Sequence, residues 1–246
     1  MNKYAIITGS SGAIGSALVE KFSNAGYKVC AVDISTKKNK YIDFTIDIDL
    51  KSIAYNKEIR DSFFNEIKKW LNNNFLDIII NNAAYQYVSE KHPIDPSELM
   101  NSYAINVVAP YLLATHLKDN IREETGQIIN IGSIHSRLTK PGFLAYSTTK
   151  SALAGLTRAL ALDFGSRIRV NCIEPAAIET PMLHAGFEEH PEKFEELKAY
   201  HPQTRIGTPE EVAELALLIS SPKIRFLHGA CIDISGGITA RLHDPV

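Results

Sequence analysis

Short apolar runs alternate with longer segments of helical periodicity along the chain, and this alternation restricts the possible folds more than any other feature. Apolar runs of this length that are closed by Gly, Asn or Asp are typical of buried strands. Because a helix connects each strand to the next, the strands are expected to run parallel in a sheet covered on both faces. The strands are predicted at residues 4–7, 28–32, 41–48, 76–80, 127–131, 167–173 and 230–234.

The segments between these runs predict helices. Thr208 offers an N-cap, Pro209 suits the first helical position, and Glu211 completes a capping box. Nothing in the sequence has the composition of a linker, so residues 1–246 are expected to form one domain. In open α/β sheets the ligand binds beyond the carboxyl ends of the strands, and residues there are candidates for function. The other helices are predicted at 13–25, 51–73, 96–122 with a break near Pro110, and 145–164.

Composition excludes several kinds of partner. The 246 residues carry a formal net charge of −2, which provides no electrostatic attraction for nucleic acid or an anionic membrane. No apolar run is long enough for a membrane span or signal peptide, so a cytoplasmic protein is expected. Cys30, Cys172 and Cys231 are odd in number and lack metal-ligand spacing. The expectation is three buried thiols in a reducing compartment, with neither a disulfide nor a metal site.

The first strand is followed by a glycine-rich turn that leads directly into a helix. The turn runs from Gly9 through Gly12 to Gly15. Glycines let the backbone amides approach a pyrophosphate, and the helix N-terminus adds partial positive charge. Asp33 ends the second strand, where a carboxylate can bind a ribose 2′-hydroxyl and would repel a 2′-phosphate. The sequence therefore predicts a dinucleotide site that prefers NAD over NADP.

Tyr146 and Lys150 are four residues apart on a predicted helix and therefore lie on one face. A phenol has a pKa near 10, and a neighbouring ammonium is expected to lower that pKa. Such a tyrosine can exchange a proton with an alcohol or carbonyl oxygen while hydride moves to or from a nicotinamide. Ser133 follows the fifth strand, where its hydroxyl could hold the same oxygen. By itself the pair indicates only two residues on one helix face. It indicates an active site only together with the neighbouring motifs.

Taken together, these motifs resemble the short-chain dehydrogenase/reductase family in its compact form, over essentially the whole chain. The resemblance implies a Rossmann fold with a general acid/base at Tyr146 and a lysine, Lys150, that lowers its pKa. It also implies that Ser133 orients the substrate and that Asn106 holds a water linking Lys150 to solvent. The matching segments are Thr8–Gly15, Asp47-Ile48, Asn81–Ala84, Ile105–Val107, Ser133 thirteen residues before Tyr146, Pro175–Thr180, Arg205–Ala213 and Gly236-Gly237.

The resemblance also implies a set of contacts to the dinucleotide. Asp47 and Ile48 are expected at the adenine ring, and the segment Pro175–Thr180 at the nicotinamide amide. The full set of expected cofactor-binding residues is Gly9, Ser11, Gly12, Ile14, Gly15, Asp33, Asp47, Ile48, Asn82, Ala83, Tyr146, Lys150, Pro175, Ile178 and Thr180.

Three positions depart from the family pattern. Gly12 precedes the usual place of the second glycine, which Ala13 occupies, and this spacing is that of the extended sugar-nucleotide enzymes of the superfamily. Ala84 replaces the last glycine of its segment, and Ala176 replaces the glycine after Pro175. A methyl group is tolerated at these two places if φ is negative. The short chain and the missing substrate domain argue against the sugar-nucleotide branch.

Residues 181–207 correspond to the mobile substrate lid of the family. Ser133 and Tyr146 are expected to contact the substrate. The mixture of further candidate pocket residues suits a polar alcohol, without excluding a hydrophobic alcohol or ketone. The family also implies a homotetramer, or failing that a dimer, assembled through helix 145–164 and the helix that carries Asn106. The further candidate pocket residues are Tyr85, His135, Arg137, His184 and Phe187.

The sequence thus predicts an oxidoreductase that transfers hydride between NAD(H) and a secondary alcohol or ketone. The nearest alternative is an NADPH-dependent ketoreductase of the same family. A non-catalytic NAD-binding sensor is a second alternative, although such proteins tend to lose the tyrosine or lysine that this chain keeps. A sugar-nucleotide-modifying enzyme is a third, suggested only by the position of Gly12.

Overall fold

A computed structural model describes residues 2–89, 93–188 and 190–242, and within them seven parallel strands form one sheet. The strands are Lys3–Thr8 (β1), Tyr27–Asp33 (β2), Phe44–Asp47 (β3), Ile78–Asn81 (β4), Gln127–Ile131 (β5), Arg169–Pro175 (β6) and Cys231–Ile234 (β7). Their spatial order is β3-β2-β1-β4-β5-β6-β7. The order reverses between β1 and β4, and such a switch point opens a crevice at the carboxyl edge of the sheet. The predicted doubly wound α/β fold is confirmed.

Helices cover both faces of the sheet. They are Ala13–Asn24 (α1), Leu50–Tyr55 (α2), Lys57–Leu71 (α3), Pro96–Tyr103 (α4), Ala109–His116 (α5), Leu144–Phe164 (α6), Pro181–Ala185 (α7), Pro191–Tyr200 (α8) and Pro209–Ile219 (α9). Alternate strand residues point to opposite faces and feed two separate cores. Ile6 packs in the core beneath α3, α5 and α6, whereas Ile7 packs in the core beneath α1 and α9. The strands therefore read as continuous apolar runs because each is buried on both sides.

Two predicted helices differ from those observed. The single helix expected over 51–73 is wrong, because Asn56 ends α2 and its side chain accepts hydrogen bonds from the backbone N–H groups of Glu58 and Ile59, which starts α3. The break expected near Pro110 lies earlier, where Ala104–Val108 forms a π-helical turn between α4 and α5. Pro110 itself is the second residue of α5, directly after this turn.

The segment 181–207 contains α7 and α8, and an isolated bridge between Ile178 and Gly207 closes its base. Glu189 within this segment lies outside the described residues, as do the ends of the predicted domain at Met1 and 243–246. The capping box at Thr208 is present as predicted and begins α9. Among the helices of the described residues, none combines the length and apolarity needed to span a bilayer.

Candidate active site

The glycine turn packs so closely that two of its glycines have no room for a side chain. Gly9 has φ of +64°, and a Cβ there would lie 2.7 Å from Cα of Ala83. A Cβ on Gly15 would lie 1.9 Å from the carbonyl oxygen of Gly9. Gly12 differs, because its φ is −71° and its Cβ would make an ordinary contact at 3.5 Å. The unusual position of Gly12 therefore places no special demand on the backbone.

Hydrogen bonds fasten the turn to the end of β4 across the switch point. The Thr8 hydroxyl accepts hydrogen bonds from the backbone N–H groups of Asn82 and Ala83, both at 3.0 Å. The Asn82 side chain donates in return to the carbonyl oxygens of Thr8 and Gly9. Ala84 and Ala176 are absent from the described non-glycine residues with positive φ, so their methyl groups cause no backbone strain.

Two carboxylates lie side by side at the carboxyl ends of β2 and β3. Asp33 and Asp47 are direct strand partners. Asp33 accepts hydrogen bonds from the backbone N–H groups of Ser11 at 2.9 Å and Ile34 at 2.7 Å. Hydrogen bonds from the Thr36 hydroxyl and N–H hold the pKa of Asp47 below its ordinary value. The backbone of the glycine turn thus directly orients Asp33.

The structure brings Ser133, Tyr146 and Lys150 together. Ser133 follows β5, is almost fully buried, and lies close enough to Tyr146 on α6 for its hydroxyl to act on the pKa of the phenol. Lys150 lies one turn further along α6, with its Nζ 5.5 Å from the centre of the Tyr146 ring. The same Nζ donates a hydrogen bond of 2.8 Å to the carbonyl oxygen of Ile131 at the end of β5. One hydroxyl pair and one ammonium therefore share a single corner of the crevice.

Burial, rather than the lysine, dominates the pKa of the tyrosine. Burial raises the pKa of Tyr146 to about 12, although the neighbouring Ser133 hydroxyl acts to lower it. Burial also lowers the pKa of Lys150 to about 8. Lys150 is not among the causes of this shift, because its ammonium donates to the Ile131 carbonyl, and its expected effect on the pKa of Tyr146 stays a prediction.

Asn106 lies in the π-helical turn and is almost fully buried. Its Oδ1 accepts a hydrogen bond from the backbone N–H of Tyr85 at 2.7 Å, and its Nδ2 donates to the Tyr85 carbonyl and to the Thr149 hydroxyl, each at 2.9 Å. These contacts use both Nδ2 hydrogens. The side chain therefore ties the segment after β4 to α6, and the water-holding role stays a prediction.

His135 is the substrate candidate that the structure places directly at Tyr146. Its ring stacks on Phe143 with centroids 4.7 Å apart and meets the Tyr146 ring edge-on at 5.7 Å. Burial and the Lys140 charge lower the pKa of His135 to about 4, so the ring is neutral at pH 7. Phe143, which packs on His135, and Thr149, which bonds to Asn106, were not predicted as site residues. Their spacing of three residues from Tyr146 on either side was the available signal.

The other substrate candidates have different surroundings. The Tyr85 hydroxyl donates to Glu98 at 2.7 Å, next to Asn106. Arg137 pairs with Glu174 on β6 and Asp233 on β7. His184 and Phe187 both pack on the Phe194 ring of α8 inside the segment 181–207, and His184 lies 3.5 Å from Glu179.

Gly207 fixes the segment expected to hold the nicotinamide amide. The backbone N–H of Gly207 donates to Ala177, and its carbonyl accepts from Glu179. A Cβ on Gly207 would lie 2.8 Å from the end of the Ile178 side chain, which would have to shift to make room for it. The Thr180 hydroxyl accepts from the Leu183 N–H and begins α7.

Comparison with known proteins places this geometry among enzymes. A family profile described as enoyl-(acyl carrier protein) reductase matches residues 9–239. The chain is 33% identical over 248 residues to protein FixR of Bradyrhizobium diazoefficiens, covering 96% of this chain and 86% of that protein. It is 29% identical over 254 residues to 2-(R)-hydroxypropyl-CoM dehydrogenase of Xanthobacter autotrophicus, covering 98% and 100%. The structure of 4-hydroxyisoleucine dehydrogenase complexed with NADH superposes with a TM-score of 0.87 at 27% identity, covering 98% and 100%.

Proposed function

The chain belongs to the short-chain dehydrogenase/reductase family, and we propose that it transfers a hydride between NAD(H) and a secondary alcohol or ketone. The observation that carries this proposal is the grouping of Ser133, Tyr146 and Lys150 at one corner of the crevice. The names of the two dehydrogenases, which contain hydroxypropyl and hydroxyisoleucine, support an alcohol as the substrate.

The residues around the switch point suit a dinucleotide. Because Gly9 and Gly15 have no side chains, the backbone of the turn packs closely on itself and on the segment after β4. Helix α1 begins within this turn. The Ser10 hydroxyl is buried in the turn without a hydrogen-bond partner among the described residues, so it is free for a phosphate oxygen. We assign the pyrophosphate to this turn, the adenosine ribose to Asp33, and the nicotinamide to the side of Pro175–Thr180.

The proposed chemistry begins from a protonated tyrosine. When bound, the nicotinamide would supply or accept the hydride. Because burial raises the pKa of Tyr146 to about 12, its hydroxyl holds a proton at neutral pH that it can give to a carbonyl oxygen during reduction. Ser133 donates a second hydrogen bond to that oxygen and stabilises its developing charge. In the oxidation direction Tyr146 takes the proton from the alcohol, and Lys150 stabilises the phenolate that precedes this step.

The substrate is proposed to enter beside His135 and under the segment 181–207, which we assign as the lid. His135 offers a neutral ring held by Phe143, and it narrows the approach to Tyr146. Such a wall suits a compact polar alcohol or its ketone. A substrate screen that follows NADH absorbance across polyols, sugars, hydroxy acids and hydroxy amino acids tests the class.

The experiment that tests the mechanism is Tyr146→Phe, which deletes one oxygen. Turnover is expected to fall by about 10²–10⁴, the usual contribution of a general acid, while the Kd for NADH changes little. Tyr55→Phe removes the same atom from an exposed tyrosine of α2 and serves as the control. Turnover retained by Tyr146→Phe would refute the role assigned to Tyr146.

NAD is proposed over NADP because Asp33 and Asp47 place two carboxylates at the adenosine side. The NADPH alternative has support in Lys38, whose positive charge acts on Asp47 from the loop between β2 and β3. We expect the unmutated protein to bind NAD at least about tenfold more tightly than NADP, since tenfold is about 1.4 kcal/mol.

Asp33→Asn keeps the size of the side chain and removes its charge. The preference for NAD, measured by calorimetry with both cofactors, should shrink, because repulsion of the 2′-phosphate is lost. Asp163→Asn on the exposed side of α6 is the matched control. Tighter binding of NADP than of NAD by the unmutated protein would favour the NADPH-dependent ketoreductase.

We also propose that the active protein is a homotetramer, with a dimer as the next choice. The proposal places the contact on α5 and α6, in keeping with the family.

A further inference from the structure

Two cysteines that are far apart in sequence meet behind the proposed active site. Cys172 on β6 and Cys231 on β7 are direct strand partners, so their side chains project from the same face of the sheet. Both are free thiols, and their sulfur atoms, together with a carboxylate oxygen of Glu174, lie within 4.8 Å of one another. Neighbouring strands are about 4.8 Å apart, which is inside the range of Cα separations that a disulfide spans.

The two thiols differ in access and in surroundings. Cys172 is fully buried, whereas Cys231 is partly exposed at the edge strand. The guanidinium of Arg158 lies 4.0 Å from the sulfur of Cys231. The neighbouring Cys172 thiol, with help from the charges of Arg158 and Arg137, lowers the pKa of Cys231 to about 7. A partly exposed thiol with thiolate character beside a second thiol has the features of an oxidation-sensitive pair.

Helix α6 places two positively charged side chains next to this pair of cysteines. Lys150, Ala154 and Arg158 follow each other at spacings of four and therefore share one face of the helix. The charge of Lys150 acts on Cys172, and that of Arg158 acts on Cys231. The buried Ala154 between them takes little space. The arrangement stabilises an anionic sulfur.

The same surroundings disfavour a metal ion, although Glu174 would complete a set of three ligands. Both carboxylate oxygens of Glu174 are engaged, one by the Ser136 hydroxyl at 2.6 Å and the other by Arg137 at 3.0 Å. A divalent cation would also face the positive charges of Arg137 and Arg158. The cluster is therefore better suited to thiol chemistry than to coordination.

We propose that Cys231 and Cys172 form a dithiol site that hydroperoxides oxidise to a disulfide. The Cys231 thiolate attacks one peroxide oxygen, the O–O bond breaks, and Cys231 becomes a sulfenic acid while hydroxide takes up a proton to leave as water. The Cys172 sulfur, giving up its proton, then attacks the Cys231 sulfur, and a second water leaves as the S–S bond forms. Two thiols and hydrogen peroxide thus yield one disulfide and two waters. This chemistry does not depend on the proposed hydride transfer.

Peptide mass spectrometry of the native protein after hydrogen peroxide treatment tests the proposal. The expected product is a linked pair of peptides containing Cys172 and Cys231, which a reductant separates. Cys30 is fully buried, burial raises its pKa far above the ordinary value, and it should stay a free thiol as the internal control. Two free thiols at Cys172 and Cys231, or oxidation of Cys30 at the same rate, would overturn the proposal.

Variants separate the two steps. Cys231→Ser should abolish all oxidation of Cys172. Cys172→Ala should leave a sulfenic acid on Cys231 that dimedone traps, because the resolving thiol is gone. Accumulation of that sulfenic acid in the unmutated protein, with no disulfide, would show that Cys172 does not resolve it and would count against the site.

A thermal measurement gives an independent readout. The bond would close the part of the chain between β6 and β7, which includes α7, α8 and α9. Restricting that loop in the unfolded chain should raise the melting temperature of the oxidised protein, and reductant should reverse the rise. Cys231→Ser should melt at the same temperature with and without peroxide. An unchanged melting temperature of the unmutated protein, despite complete oxidation, would contradict the expected linkage.

Discussion

The burial of Lys150 that the proposed chemistry uses is unfavourable for the stability of the fold. Only 2% of its surface is exposed, and one backbone carbonyl, that of Ile131, accepts a hydrogen bond from its ammonium. Burial lowers the pKa of Lys150 to about 8, so near neutral pH it lies close to the point where it can pass a proton. The same shift means that folding must desolvate a charge whenever the lysine is protonated. Function and stability therefore oppose each other at this position.

We predict that Lys150→Met increases the free energy of unfolding at pH 7 by about 1–3 kcal/mol while removing most turnover. One pKa unit corresponds to about 1.4 kcal/mol, and the Ile131 carbonyl loses its donor, which costs about 1 kcal/mol in return. The pKa of Lys150 is lower in the folded than in the unfolded protein. The penalty is therefore fully present below pH 8 and fades as pH rises toward 10.5.

Urea unfolding of both proteins between pH 7 and pH 10 checks this prediction. The stability advantage of Lys150→Met should shrink with rising pH. Lys69→Met, on the exposed face of α3, is the matched control and should show no such trend. An advantage that stays constant over this range would mean that the charge of Lys150 is not the cause.

At the scale of elements, the sequence was a good guide to which segments form strands and a poor guide to single-residue adjustments. Strands buried on both faces leave continuous apolar runs, and β5 was predicted at its observed bounds. The π-helical turn at Ala104–Val108 adds one residue to a single turn. The apolar pattern, which repeats every 3.6 residues on average, does not reveal so small a change. Asn56 has ordinary helical neighbours, and only its hydrogen bonds reveal that it caps α3.

The partners of the site residues were harder to predict than the residues themselves. The hydrogen bond from Lys150 to the Ile131 carbonyl has no sequence signature, because every residue carries a carbonyl. The meeting of Cys172 and Cys231 depends on the register of β6 and β7, which the apolar pattern does not specify. Tyr146 and Ser133 were predictable because their chemistry requires particular side chains.

The turn between β1 and α1 allows a matched test of two glycines in one element. Gly15→Ala is expected to destabilise the protein by about 2–3 kcal/mol, the upper range for overpacking, because the new Cβ meets the Gly9 carbonyl oxygen at 1.9 Å. Gly12→Ala should change stability by no more than about 0.5 kcal/mol, since its φ and its nearest contact are ordinary. Thermal unfolding of both variants measures the two stability changes. Similar losses of stability in the two variants would contradict the difference in packing between Gly12 and Gly15.

The molecule as a whole leaves apolar side chains exposed on the two helices that are proposed to form the contact between copies. Tyr111 on α5 and Leu144 on α6 are each 47% exposed, and Leu162 near the end of α6 is 84% exposed. Leu144 and Leu162 are eighteen residues, or five full turns, apart on α6 and therefore lie on one face of that helix, which is the face proposed to contact another copy. A symmetric oligomer buries such a face against the same face of another copy, so one substitution changes both sides of the contact.

Leu162→Glu is therefore predicted to weaken the proposed tetramer, because each copy would bring an unpaired carboxylate to a surface that is expected to be apolar. Light scattering after size exclusion should give four times the 27.3 kDa chain mass for the unmutated protein and a smaller mass for the variant. Ile59→Glu, which adds the same charge to an exposed position on α3, should leave the mass unchanged. If the unmutated protein elutes as a monomer, or if both variants dissociate equally, assembly through α5 and α6 is wrong, whereas the chemistry proposed at Tyr146 would stand on its own tests.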